Sequence, residues 1–268
     1  MITSVSKIMK LIAQIAPFET ADHWDNVGLL IGNPSKPTTR ILIALDLSDD
    51  VLEEALEEDI DLIITHHPVI FSAMKSITTV TPLGKRIYKC IENGISVISA
   101  HTNLDRSFEH GINRFIADSY ELSEIQTLVP DVENIGYGIV GLLDESMSIR
   151  TFLDKTKEIF KIEALKTTPF SEDRLIKKVA ISSGASADFI KEAIASKADV
   201  FILGDLKYHE AQAVEHSQLI LIDVGHYESE VVYLESFKML LDDHIMTQGY
   251  DVMTMVSERS KPILWTIS

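Results

Sequence analysis

The chain has 268 residues, 46% of them hydrophobic and 24% charged, with a formal net charge of −17. That composition suits a well-cored protein of one large or two modest domains, and acidity without a basic stripe argues against a nucleic-acid partner. The single cysteine, Cys90, excludes an intrachain disulfide and fits a reducing cytoplasm, and no apolar run approaches the ~18 residues needed to span a bilayer.

In chain order, Val5, Ile8, Leu11, Ile12 and Ile15 recur at helical spacing, predicting an amphipathic helix that ends near Pro17. A polar stretch from His23 through Trp24, Asp25 and Asn26 then enters an apolar strand at Gly28–Gly32. Trp24 reads as a packed corner in preference to a substrate wall, and His23 as a surface residue. Ile41–Leu47 reads as a buried strand. Ser48 with Asp49 and Asp50 caps a helix over Val51–Glu58. Asp61–Thr65 is a second strand, carrying His66, His67 and Pro68 at its end. Pro82–Asn93 reads as a helix closed by Gly94, with Cys90 in its core, and Ile95–Ala100 as a third strand running into His101 and Asp105. The alternation predicts a mainly parallel sheet with helices on its faces, so ligand groups should gather at the carboxyl ends of the strands.

Residues 120–175 are less regular, with a strand expected at Gly136–Leu143 and a helix at Ile149–Phe160. From Lys178 the early pattern returns: strand Val179–Ser182, helix Ala187–Ser196, strand Asp199–Leu203, strand Leu219–Val224, and then Gly225 and His226 opening a long helix. Glu54-Ala55-Leu56 parallels Glu192-Ala193-Ile194, and Asp61-Leu62-Ile63-Ile64 parallels Asp199-Val200-Phe201-Ile202. The next strand of each run ends at a histidine, His101 or His226, with a carboxylate four residues on, Asp105 or Glu230. The two halves read as an internal duplication.

Imidazole is the commonest protein ligand for transition metals. Neighbours on an extended chain point in different directions, so His66 and His67 suit two metals better than one. His226 and Glu230, at i and i+4, share a helix face with Cβ atoms about 6 Å apart. Adding Asp105 gives three imidazoles and two carboxylates, too many for one open site and about right for two metals roughly 3.5–4 Å apart sharing a bridging hydroxide nucleophile. His101 is open between a sixth ligand, a hydrogen-bond partner behind the ligands and a general acid/base. Asp205, Lys207 and His209 at a matching strand end can bind substrate or merely start a capped helix. Ser182-Ser183-Gly184-Ala185 is a small-residue turn able to cradle an anion.

The stretches Trp24-Asp25-Asn26-Val27-Gly28-Leu29, Thr65-His66-His67-Pro68, His101-Thr102-Asn103-Leu104-Asp105, Gly204-Asp205-Leu206-Lys207-Tyr208-His209-Glu210 and Gly225-His226-Tyr227-Glu228-Ser229-Glu230 together resemble the Nif-three-like (Ngg-interacting-factor-like) dinuclear-metal family. Its bacterial members carry the label GTP cyclohydrolase I type 2 homologue. The resemblance covers essentially the whole chain. It implies two similar α/β domains, residues 1–126 plus 227–268 and residues 127–226, with the metal site between them, a toroidal homohexamer, and two divalent ions per subunit (Zn, Fe, Mn or Co) held by His66, His67, Asp105, His226 and Glu230. The expected function is a cytoplasmic metal-dependent hydrolase acting on a phosphoester or purine nucleotide, with His101 and Asp105 as catalytic residues. The alternative is a non-catalytic metal-binding scaffold or regulatory protein. The family's second-half glycine-rich turn appears with fewer glycines, at Ser182–Ser186, and the end of the chain, Ser257–Pro262, matches the family poorly.

Overall fold

A computed structural model describes residues 3–132 and 135–265. In chain order these form α1 (Val5–Ile15), β1 (Gly28–Ile31), β2 (Arg40–Ala44), α2 (Asp49–Glu57), β3 (Leu62–Thr65), α3 (Pro82–Glu92), β4 (Ser96–Ser99), the single turn α4 (Thr102–Asp105) and α5 (Ile112–Ser119). Then come β5 (Ser123–Val132), β6 (Ile135–Ser148), α6 (Ile149–Phe160), β7 (Lys166–Thr167), β8 (Leu175–Ala185), α7 (Ile190–Ala195), β9 (Val200–Gly204) and α8 (Tyr208–Ala211). The chain finishes with β10 (Ile220–Asp223), α9 (His226–Val231), α10 (Leu234–Thr247) and β11 (Met253–Val256). It is a mixed α/β protein with two sheets. Among the described residues no helix is long and apolar enough to cross a membrane.

The chain divides into two compact units. One runs up to Leu104 and resumes at Leu234–Lys261; the other is Asp105–Tyr233 with the segment from Pro262. The sequence reading set these change-overs later, at 126/127, and earlier, at 226/227. The difference has a packing cause: α5 lies against β6 and β8, and α9 against β8 and β9, so both helices go with the second sheet.

The first unit's sheet has the order β1-β4-β3-β2-β11. Its four members β4, β3, β2 and β11 are parallel, and only β1 runs against them. All four residues of β3 and of β4 are buried, as expected of strands covered on both faces. On one face Leu42, Ala44, Ile63 and Val97 pack with Val51, Leu52 and Ala55 of α2 and Ile87 and Cys90 of α3. Each such fully buried aliphatic contributes on the order of 2 kcal/mol. Cys90 is a core residue as expected; burial pushes its thiol up to about 12, which removes it as a nucleophile at neutral pH. The Ser48 hydroxyl accepts from the Val51 N–H and caps α2, and Gly94 takes the left-handed conformation that ends α3 (φ 68). Beyond the sequence reading, β11 adds in parallel to β2. The buried Glu54 of α2 then anchors the chain past it by accepting from the Glu258 N–H (2.9 Å) and the Ser257 hydroxyl.

The second unit's sheet has the order β5-β6-β8-β9-β10-β7. Here the expectation of mainly parallel strands holds only for β8, β9 and β10; β5, β6 and β7 pair antiparallel. The strand expected at Gly136–Leu143 lies within the longer β6, and the less regular stretch before it supplies β5, its antiparallel partner. Their inner residues, such as Leu128 and Val140, join Phe201, Leu203 and Leu221 in one core. The long helix expected after Gly225 breaks instead into α9 and α10.

The two sheets share their wiring. Ile41 lies opposite Leu62 and Val179 opposite Val200, at the same sequence spacing. In each, the third parallel strand is flanked by an antiparallel one, β1 beside β4 and β7 beside β10.

Candidate metal centre

The first group of ligand-type side chains belongs to the first unit. His66 and His67 follow β3 and His101 follows β4, parallel neighbours in the sheet. Their positions are fixed by backbone and hydroxyl contacts: the His66 and His67 N–H groups donate to the carbonyls of Ala44 and Leu45, and the Thr65 hydroxyl donates to the His67 carbonyl at 2.8 Å. The three rings form a cluster, with centroids 5.1 Å apart for His66–His67, 5.1 Å for His66–His101 and 5.7 Å for His67–His101. One nitrogen from each lies within 4.8 Å of the others.

In every ring Nδ1 is held by an oxygen that can only accept. His66 Nδ1 donates to the Ala100 carbonyl (2.9 Å), His67 Nδ1 to Asp46 (2.9 Å) and His101 Nδ1 to both carboxylate oxygens of Asp25 (3.0 Å each). An N–H fixed at Nδ1 leaves the Nε2 lone pair as the ligand atom, the arrangement that metal-binding histidines adopt. The Asp25 side chain has no exposed surface. Burial alone would raise it, but the hydrogen bonds from His101 and Thr102 outweigh that and hold it at about 2.

The second group belongs to the second unit. Gly225 turns the chain at φ 94 into α9, and His226 is that helix's first residue. His226 Nδ1 lies 2.8 Å from Asp205, and its Nε2 lies 3.3 Å from Glu230 one turn on. The predicted shared helix face is therefore real, and Asp205 is a fourth oxygen holding a histidine Nδ1. Gly184 makes room for the pair. It sits at φ +64, and a Cβ there would come within 2.6 Å of the Glu230 carboxylate. Asp105 ends the turn that begins just after His101, with its backbone carbonyl accepting from Asn113 (3.3 Å).

Several sequence expectations change. The turn at Ser182–Ala185 has no N–H to spare for an anion at its centre, because the Ser183 N–H donates to Asn113 and the Gly184 N–H to the Ser229 hydroxyl. Lys207 and Glu210 form the capped helix start, bonded at 2.9 and 3.0 Å. His209 is exposed and pairs with Gln212. Trp24 is no packed corner: it is 51% exposed, in edge contact with His101. Asp46 was missed altogether. It stands just past a buried strand end, as the histidines do, and the same rule applied to carboxylates would have found it.

Glu230 is 3% exposed, and a buried carboxylate needs positive charge beside it. The hydrogen bond to Glu230 raises His226 to about 9, against the opposing effect of burial, so without metal the proton supplies that charge. This raised group stabilises the metal-free protein fully below pH 6.5, and the contribution is lost as pH rises through about 9. Metal uptake at His226 must displace the proton. Titration with Zn(II) at pH 7.5 in buffers of different ionisation enthalpy is expected to show proton release, with affinity rising toward pH 9. Uptake without proton release would refute this account of His226.

The family model described as Duf34/NIF3 (NGG1p interacting factor 3) matches residues 3–262. A Clostridium acetobutylicum protein named GTP cyclohydrolase 1 type 2 homolog is 34% identical over 259 residues, 96% of each chain. Among solved structures, a Bacillus cereus protein related to NIF3 superposes with a TM-score of 0.92 at 22% identity over the full length of both chains. Reduced HcgD from Methanocaldococcus jannaschii gives 0.79 at 30% identity, covering 96% of this chain and 99% of its own. The chain belongs to the Duf34/NIF3 family.

Proposed function

We propose that the protein binds two divalent metal ions through His66, His67, Asp105, His226 and Glu230 and works as a metal-dependent hydrolase on a small-molecule substrate. One observation carries this reading: four imidazoles each have Nδ1 held by an oxygen, three of them in one cluster. Metal-ligating histidines almost always carry such support from a carboxylate or backbone carbonyl, as all four do here, whereas the exposed His209 has only the amide of Gln212. Three nitrogen and two oxygen donors suit Zn, Fe, Mn or Co. Bound divalent ions supply an ionised water at neutral pH and charge to neutralise a developing anion. His101, oriented by Asp25, is the group to take a proton from the reacting water or return it to the leaving group, and Asp105 sets the charge of the centre. The name carried by the Clostridium relative points to ring opening of a purine nucleotide; phosphoester hydrolysis uses the same attack on another electrophile. A homohexamer is part of this reading, to be measured by light scattering.

The test is elemental analysis of the purified protein together with turnover of phosphoesters and of GTP, the latter followed by formate release. Bound metal with turnover that His101→Ala abolishes is the expected result. No turnover under Zn, Fe, Mn or Co loading would sink the hydrolase. Metal retained without turnover, and dispensable for cellular function in a His67→Ala/Asp105→Ala variant, would leave the scaffold reading.

A further inference from the structure

Trp24 and Phe71 are large aromatic side chains left 51% and 60% exposed. Burying such rings is among the larger gains available to a fold, and this fold forgoes it at two places that face one another. The ring centroids are 5.9 Å apart with planes tilted by 54°, a contact distance for two rings, so together they make one bent apolar surface, a wedge open to solvent on its outer side. The wedge is also held rigidly. Residues on both sides of Trp24 are tied to Thr102, the Asp22 N–H donating to its hydroxyl (3.0 Å) and the buried Asp25 carboxylate accepting from its N–H (3.0 Å). The Asn26 side chain donates to the Ile70 carbonyl (2.6 Å), tying the Trp24 loop to the residue before Phe71. An exposed apolar surface on pinned backbone is pre-organised for a ligand. The wedge adjoins the histidines too: Trp24 meets the His101 ring edge-on at 6.2 Å.

We propose that Trp24 and Phe71 form a subsite on whose exposed surface a flat heteroaromatic ring of the substrate stacks with its edge toward His101, an assignment that rests on the metal-hydrolase reading above for its chemistry. The two faces offer stacking and no hydrogen bonds, so the subsite selects planar rings over sugars or aliphatic chains and tolerates different bases.

The chain has two tryptophans, so Trp265→Phe makes Trp24 the only indole emitter. In that background, adenosine 5′-monophosphate and ribose 5-phosphate, which carry the same phosphate and differ by the ring, are titrated against metal-free and metal-loaded protein. The nucleotide is expected to quench Trp24 and bind about tenfold or more tighter than the sugar phosphate. Phe71→Ala is expected to remove most of that difference while metal content stays unchanged. Equal affinity for the two probes, or a Phe71→Ala protein that keeps the full difference, overturns the subsite. So does a change of oligomeric state in Phe71→Ala with nucleotide binding intact, which would assign the rings to contacts between copies of the chain. Nucleotide preference in a protein that takes up no metal would defeat the metal reading and leave the ring subsite standing.

Discussion

Replacing His67 with alanine is expected to lower affinity for divalent metal by more than about 100-fold while leaving the fold intact. Changing a residue that merely orients a ligand costs about 10- to 100-fold, and deleting the ligand costs more. His67 is the cleanest of the first unit's histidines to remove. Its side chain is 24% exposed, so the space left behind fills with water and creates no dry cavity. His66, by contrast, is 4% exposed, and its loss would mix metal effects with packing. Asp46→Asn is the companion variant. It keeps the shape but weakens the acceptor on His67 Nδ1, and a loss within the 10- to 100-fold range is expected. Metal content by elemental analysis and affinity by competition with a chelator provide the measurements. A His67→Ala protein that retains wild-type affinity would remove His67 from the ligand set.

Much of this group was readable from residue order. A short, largely apolar and wholly buried strand ending in two histidines and a proline announces where it stops and what it carries, and the i, i+4 spacing of His226 and Glu230 needs only helix geometry. What escaped was whatever depends on distant residues. Asp25 and His101 are far apart in sequence, and only their pairing tells a ligand-orienting carboxylate from a loop aspartate. Trp24 was misread because next to polar residues an aromatic ring is usually tucked in; here it is 51% exposed and its ring partner, Phe71, comes from another loop. The break between α9 and α10 has no proline or glycine to mark it. β11 is short and half-buried; the largely apolar run Val252–Val256 stands alone near the end of the chain, and its pairing is supplied by the distant edge of β2. Even the helix ends were only partly visible. Gly94 marks one, but α2 and α7 end at Asp59 and Lys197, non-glycine residues held at φ 50 and 60. Each is followed by an N–H reaching back to the helix, Ile60 to Ala55 at 2.9 Å and Ala198 to Ala193 at 3.2 Å.

Those matching helix ends lead to a second pair of matching residues, and to a stability prediction. Two residues beyond each lies an aspartate, Asp61 or Asp199, that ties the start of its strand to the strand before it. Asp61 accepts from the Thr39 N–H (2.8 Å), the Thr39 hydroxyl (2.9 Å) and the Arg40 N–H (3.3 Å), with Lys36 at 3.3 Å. Asp199 accepts from the Lys177 and Lys178 N–H groups (2.9 Å each) and from Arg174 (2.8 Å). The carboxylates are 25% and 23% exposed, so water replaces them only in part. These donors are part-buried, and that of Thr39 is exposed, so losing the acceptor costs each about the net worth of a hydrogen bond, roughly 1 kcal/mol. With two such donors in each unit, Asp61→Ala and Asp199→Ala are each expected to cost about 2 kcal/mol, and the asparagine variants, which keep one accepting oxygen, about 1 kcal/mol. Burial works against ionisation of Asp61, but the hydrogen bonds from Thr39 and the charge of Lys36 prevail and hold it below its ordinary 3.8. Its contribution is therefore present above that pH and lost as pH falls through the lower folded value. Amide exchange at Arg40 and at Lys177 and Lys178 reads each unit separately, which a single unfolding midpoint for a two-unit chain does not. A loss below 1 kcal/mol at both positions would mean that solvent satisfies these amides. A loss at one alone would mean that the shared wiring of the two sheets does not extend to shared energetics.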